Sequence, residues 1–582
     1  MDNFALLSFV LATASVAFFT YYIVQRMQRS DNATEEYFTG GRALSWPIVA
    51  GSLLLTNLST EQLIGLNGAV FGDKALVGVA WEALAAFAMI ATALIFLPRY
   101  LASGFTTTPA FLEKRFDKTT RSMVSGLFLF GYVTVLLPVV LYTGSLAMIG
   151  MFDISYPLWI VIAAIGIIGS SYAIFGGLKS VAVSDTLNGV GLLIGGLAVP
   201  ILALITLGDG SFFSGVYKLG NNNPEYLTVL TQKNIDEKVV SVPWPTLLTG
   251  MMFIQVFYWS TNQVIVQRAM AAKSLAEGQK GVLFASAMKL VGPVMLCLPA
   301  IIALHILSDL KFPLDVIALK EALLDPKYSS MNDALAFGKQ LIENGAKTVS
   351  YKQTELLSQL GLTFNDKVYP AVVKHVLPDW SIGLFAAVIM GSILSSFNSA
   401  LNSASTLFSL QFYNGYINRT ATDQQIVAAG KKFGLVLAIA SVCIAPALAQ
   451  MESIFDYLQK VNGIYSVPII AIFLLGIFTK HIPAIGAKIG MAVGFLLYAY
   501  FVFFPIQDFH WLHMYFISFT WSIMVMLFIG YLYPKSEAEI AASDEREPAP
   551  VDMTPWKYAK NVSYAIMAST VGIYLLLSMA SN

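Results

Sequence analysis

Ser392, Ser395, Ser396 and Ser399 stand at i, i+3, i+4 and i+7, so a helix would gather four hydroxyls on one face. The helix is otherwise Ile389, Met390, Ile393, Leu394 and Phe397, which places that oxygen stripe in an apolar setting. Neutral oxygens suit a hard monovalent cation such as sodium, which takes about five or six ligands and is held too tightly by fixed charge. The same stripe also serves as a small-residue face that lets two helices approach closely. From the stripe alone both readings are open.

A second constellation lies between Leu53 and Leu66, where an apolar segment is interrupted by Thr56, Asn57, Ser59, Thr60, Glu61 and Gln62. Polar groups in hydrocarbon cost several kcal/mol unless they face protein or water, and discontinuous helices of this kind line the substrate sites of secondary transporters. A blander reading has these side chains only joining neighbouring helices. A break here frees the carbonyls of Leu55 and Leu58, and beside them the serine stripe gains the ligands that favour an ion site. The pattern returns later, where Gln255, Tyr258, Trp259, Ser260, Thr261, Asn262 and Gln263 interrupt another apolar run. Five spans separate the two interruptions, the spacing of an inverted five-plus-five repeat whose broken first helices meet at the midplane.

Ionisable residues at membrane depth are few: Glu82, Asp185 and Lys289. Such groups are functional candidates by default. Glu82 and Lys289 either neutralise each other or join the amides of Gln62, Gln255 and Gln459 in a donor and acceptor set for a polyhydroxylated neutral molecule. Tyr258, Trp81 and Phe455 supply apolar faces for a sugar ring.

The elements that must position these groups follow from composition. Of 582 residues 56% are hydrophobic and 12% charged, where a soluble domain carries about 25% charged residues. The chain is therefore an all-α polytopic membrane protein embedded in a lipid bilayer. A formal net charge of +0 argues against nucleic acid as a partner. Cys297 and Cys443 sit in apolar runs, and His305, His375, His481, His510 and His513 show no ligand spacing. About fourteen apolar runs reach the roughly 20 residues a bilayer demands, starting near residues 3, 45, 76, 122, 156, 183, 245, 281, 380, 432, 454, 485, 510 and 558. Asp2 precedes the first, and Arg26, Arg29 and Arg42 follow it, which predicts an outside N-terminus. The basic clusters Arg99 to Arg121, Arg268 to Lys280, Arg419 to Lys432 and Lys480 to Lys488 then fall inside, and an even number of spans returns the C-terminus outside. The long connections 208–243 and 309–378 face outside as a cap or vestibule rim, the second with helical stretches around Asp333 to Asn344 and Tyr351 to Leu360. Lys535 to Pro550, with Glu537, Glu539, Asp544, Glu545 and Glu547, reads as a flexible charged linker.

Specific runs carry a resemblance: Asn57-Leu58-Ser59-Thr60-Glu61-Gln62; Phe257-Tyr258-Trp259 with Asn262-Gln263 and Val266-Gln267-Arg268; Ala271-Ala272-Lys273-Ser274 with Gln279-Lys280-Gly281; and Ser395-Ser396 followed by Leu401-Asn402-Ser403. From about Glu36 to Lys488 the chain resembles the solute:sodium symporter family in its bacterial sodium/glucose-galactose cotransporter branch. The resemblance implies a leucine-transporter-like core at 31–480 with repeats at about 45–207 and 245–478. One transmembrane helix is added before it (1–30) and others after it (481–582). It implies a bacterial inner-membrane location. Gln62, Glu82, Lys289 and Gln459 match sugar-binding positions of the family; Gln255 stands where the galactose-binding relative has Asn, and Ala85 replaces a serine. Tyr258 matches an aromatic inner gate bonded to Asn57, beside Trp259, and Leu66 and Phe455 match an outer hydrophobic gate. The sodium site it implies combines carbonyls of Leu55, Leu58 and Ser392 with hydroxyls of Ser395 and Ser396. Asp185 matches an acid near the inner ion exit, and Asn398 and Ser399 occupy the places of a second sodium site found in some relatives. The expected function is sodium-driven uptake of a hexose by alternating access, with sodium as coupling ion and no organic cofactor. A sodium symporter for sialic acid, inositol or proline is the alternative. The chain offers no nucleophile or metal constellation for a membrane enzyme and no soluble signalling domain.

Overall fold

Backbone at membrane depth has no water to bond, so apolar runs must close their own hydrogen bonds as helices. The computed structural model describes residues 3–27, 30–152, 154, 156–450, 454–507, 509–544 and 549–580; Asp2, Arg29, Glu545 and Glu547 lie outside them. Among the described residues ten helices are long and apolar enough to cross a membrane. They include Phe4–Arg26, Leu76–Ala102, Asp379–Ile417, Tyr457–Phe478 and Ala559–Met579.

The other expected spans are interrupted or short, each for a local reason. The segment starting near 156 is helical over Leu158–Ser170 and turns at Gly177, whose φ of 62° and ψ of −179° are open to glycine alone. A Cβ there would meet the Tyr37 carbonyl oxygen at 3.1 Å. The segment that begins with Leu275–Met288 continues as Gly292–Leu296 and Leu298–His305, and Pro293 and Pro299 open the two later pieces, where the missing amide is tolerated.

The two remaining segments are the broken helices. The first runs Trp46–Asn57, is interrupted at Leu58 (φ −77°, ψ 65°), and resumes as a wide turn over Glu61–Leu66 and a helix over Asn67–Asp73. The second runs Gly250–Ser260 and Gln263–Met270; between them Asn262 caps the second half, its Oδ1 accepting from Val264 N at 3.1 Å. Tyr132 holds that cap by donating to Asn262 Oδ1 at 2.7 Å. The first broken helix packs against Leu158–Leu207, Leu275–Met288 and Asp379–Leu407.

Both long connections are ordered over the far end of the first broken helix. Asp73 accepts from Ser241 N at 2.8 Å and Ser241 Oγ at 2.5 Å. In 309–378, strands Lys311–Pro313 and Thr348–Ser350 pair antiparallel. Helices Asn332–Glu343 and Tyr351–Ser358 lie within two residues of the expected stretches. The expectation of a flexible linker from Lys535 is corrected over the described residues. Glu537–Asp544 is helical, Lys535 N donates to His481 O at 2.9 Å and its Nζ to Arg115 O at 2.7 Å. Beyond it, Asp552 O accepts from Leu275 N at 2.9 Å and Trp556 N donates to Gln279 Oε1 at 2.8 Å. The segment is a strap because folded neighbours satisfy its backbone, which charge content alone could not reveal.

Candidate binding site

Glu82 and Lys289 arrive from different helices, Val79–Ala91 and the end of Leu275–Met288, and meet where the two broken helices face each other. Lys289 Nζ lies 2.9 and 2.7 Å from the two Glu82 oxygens, bonds Asn57 Oδ1, and sits 5.2 Å from the Trp259 ring. Glu82 is 2% and Lys289 1% exposed. An ammonium has three donors, and here Glu82 and Asn57 occupy all three. The pair is therefore self-satisfied, and a ligand hydroxyl enters only by exchange.

Around it the walls are Gln62, Gln255, Gln459, Tyr258, Trp259, Trp81 and Ala85, with Glu61, Asn262 and Asn462. The expected set thus converges on one cavity from segments far apart in sequence. Gln255 Nε2 donates to Trp81 O at 2.8 Å, so one of its groups is committed to structure. Gln62 Oε1 and Trp81 Nε1 are buried without a hydrogen-bond partner among the described residues. Free space in the cavity is about 60 Å³, room for a few waters and not for a hexose, so this is a contracted arrangement. The Tyr258 hydroxyl lies against Asn57. Leu66 and Phe455 stand one layer back. Phe455 packs edge-on to Trp81 at 5.3 Å, and Trp511 stacks on the same indole at 6.5 Å.

The break in the first helix releases backbone oxygens next to the serine stripe. Ser59 N, the ordinary partner of Leu55 O, bonds Asn57 O at 2.8 Å instead. Gln62 N, the ordinary partner of Leu58 O, bonds Ser59 O at 3.1 Å. Ser392 Oγ donates to Leu58 O at 2.8 Å and Ser396 Oγ to Thr56 O at 3.3 Å, so stripe and break are in contact. Ser395 Oγ, Asp185 Oδ1 and both amide atoms of Asn398 are buried with no hydrogen-bond partner among the described residues. Of these, Ser395 Oγ belongs to the expected ion set, and a cation there would give this buried oxygen a partner. That fits sodium as cargo at Leu55, Leu58, Ser392, Ser395 and Ser396.

Arg268 changes part of the expectation. Counted as a loop charge, it is instead 0% exposed, on the second half of the second broken helix. Its Nε donates to Ser52 Oγ at 2.9 Å, and its other nitrogens reach Val264 O and Ser399 Oγ. Asp185 Oδ2 lies 3.7 Å from Arg268 and accepts from Ser52 at 2.7 Å. A buried guanidinium persists because it is paired and bonded on all sides. A second cation at Asp185 and Ser399 would have to displace that guanidinium. The sequence signal was position: Arg268 lies within Gln263–Met270, the short helix that resumes after the second break, too close to count as a loop.

Comparison with known proteins adds an independent line. The model of the sodium:solute symporter family matches residues 37–314 and 356–494. The uncharacterized symporter YidK of Escherichia coli strain K12 is 37% identical over 99% of this chain and 91% of its own length. The sodium/glucose cotransporter of Vibrio parahaemolyticus is 31% identical over 82% of this chain and 81% of its own. A solved structure, the substrate-bound outward-open state of a Na+-coupled sialic acid symporter, aligns over 92% of this chain and 99% of that one. Its TM-score is 0.70 at 17% identity, which establishes a shared fold.

Proposed function

Because this chain belongs to the sodium:solute symporter family, we propose that the sodium-coupled solute it carries is a hexose, taken up by alternating access. The observation that carries the reading is the set of unmet hydrogen-bonding atoms, Gln62 Oε1, Trp81 Nε1 and Glu61 Oε2, in a cavity where Lys289 and Glu82 already neutralise each other. Such a site asks for a neutral ligand rich in hydroxyls, and buried groups built to pair hydroxyls reject analogues that lack them. Gln459 and Gln62 hold sugar hydroxyls, Lys289 and Glu82 open to bond others, and Tyr258 with Trp259 closes one side.

Sodium at the Leu55, Leu58, Ser392, Ser395 and Ser396 oxygens holds the first broken helix in its outward arrangement. That helix also carries Asn57 and Gln62, so ion and sugar share one mobile element. A tenfold sodium gradient supplies about 1.4 kcal/mol and 100 mV adds about 2.3 kcal/mol per charge. Together they support roughly a several-hundred-fold sugar gradient per ion. The reading includes about fourteen spans, an inverted repeat at about 45–207 and 245–478, and both termini outside; the burial of Arg268 removes one loop charge from the count but leaves Lys273 and Lys280. The test is uptake of labelled sugars into proteoliposomes with and without a sodium gradient. Sodium-dependent glucose or galactose accumulation is expected; accumulation of sialic acid, inositol or proline and of no hexose would overturn the hexose assignment.

A further inference from the structure

Of the unmet atoms in the central cavity, Glu61 Oε2 is the one that belongs to a charged group. Glu61 opens the wide turn Glu61–Leu66 of the first broken helix and is 5% exposed. The Ser59 hydroxyl is set against its carboxyl and brings no charge. Thr60, beside it, is tied to Thr143 at 3.1 Å. Lys289, the cation in the cavity wall, is bonded to Glu82 and Asn57, so it has no donor left for a second carboxylate. Among the described residues two ion pairs have both partners buried, Arg268 with Asp185 and Lys289 with Glu82, and Glu61 is in neither.

A carboxylate cut off from water without a cation or a full set of donors is strongly disfavoured. Protonation is no cheap escape, since an ordinary glutamic acid at pH 7 holds its proton in about one molecule in 500. An open cavity satisfies the group with water. In the contracted one, the few waters that about 60 Å³ admits are shared with Gln62 and Trp81. Hydroxyl donors of a solute reverse that balance, because a hydrogen bond to a carboxylate is about twice as strong as a neutral one. We propose that Glu61 makes closure of the cavity conditional on the solute. Its bare carboxylate opposes closing over an empty site, and a solute hydroxyl at Oε2 removes the opposition. The role rests on the hydroxylated solute proposed above. Leu55 and Leu58, with the carbonyls assigned to sodium, flank the break of the same helix, so a carrier that does not close without solute does not carry sodium across alone.

The test is the leak of radioactive sodium from proteoliposomes of the full chain with no solute on either side, for the parent, Glu61→Gln and Glu61→Leu. Glu61→Gln keeps the shape and removes the charge, so it reads the effect even where Glu61→Leu fails to fold. Both variants are expected to leak sodium about tenfold faster than the parent, equivalent to about 1.4 kcal/mol in favour of the closed empty carrier. Equal sodium leak in all three proteins, or a leak that passes potassium as readily as sodium, would overturn the role. Titration calorimetry of galactose in sodium should show about tenfold weaker binding to Glu61→Leu, and unchanged affinity would overturn the hydroxyl contact. Failure of galactose and glucose to bind the parent would sink the hexose assignment, while the sodium leak still decides the role of Glu61.

Discussion

Removing the charge of Lys289 while keeping its length separates a sugar ligand from a mere counter-ion. In Lys289→Met the Glu82 carboxylate, 2% exposed, loses an ammonium 2.7 Å away and keeps no other cation bonded to it among the described residues. Stranding one member of a buried pair costs about 3–5 kcal/mol, a large share of the roughly 5–15 kcal/mol that stabilises a native fold. Adding Glu82→Gln removes the stranded charge, so the double variant should recover most of that loss. Thermal unfolding of the parent, both single variants and the double variant gives the coupling energy of the pair. Uptake separates the roles. As a ligand, Lys289 contributes a charged hydrogen bond worth about 1.5–3 kcal/mol, roughly 10- to 150-fold in sugar affinity, and the stable double variant should still fail to accumulate sugar. Parental uptake by the double variant would refute the ligand role. A Lys289→Met protein as stable as the parent would refute the account of the pair itself.

Ser396→Ala should raise the sodium concentration needed for half-maximal uptake while leaving the melting temperature near the parent's, since its hydroxyl makes only a 3.3 Å bond to Thr56 O; unchanged sodium activation would make the stripe a packing face. Gln62→Ala and Gln459→Ala should each weaken sugar binding by about 1–3 kcal/mol, read by isothermal titration, and normal affinity in both would move the site elsewhere. Arg268→Met should destabilise by about 3–5 kcal/mol through the stranded Asp185, with Arg268→Met/Asp185→Asn recovering stability in thermal unfolding; equal melting of all three proteins would mean the contact carries no energy. His510, which precedes the helix Trp511–Leu532, is held down to about 4 by burial, with His513 and Lys460 adding to the effect, and its Nδ1 accepts from Leu512 N at 3.3 Å. The unfolded chain takes up that proton near 6.5, so this contribution is full above pH 6.5 and fades as pH falls towards 4, by about 3 kcal/mol in all. Melting curves across that range should show the loss in the parent and a flatter slope in His510→Gln.

What chain order carried by itself were the local features. The polar interruptions around Asn57 and Asn262, the i, i+3, i+4, i+7 serines and the apolar run lengths are properties of neighbouring residues, and the helical period turns them directly into faces and breaks. Glu82 and Lys289 were legible as a possible pair because membrane depth leaves few charges, yet their full bonding with Asn57 was not, since the three residues are brought together only by packing of separate helices. Arg268 shows the limit most plainly. Its basic side chain looks like a topogenic loop charge in sequence, and only the approach of Asp185, Ser52 and Ser399 from three other helices makes burial cheaper than exposure. The segment from Lys535 is similar: its charge content predicts a flexible linker, and over the described residues its order comes from the carbonyls of His481 and Arg115. Periodicity and hydrophobicity act over a few residues, so sequence determines which faces exist. Desolvation and pairing depend on which faces meet, and only the tertiary structure decides that.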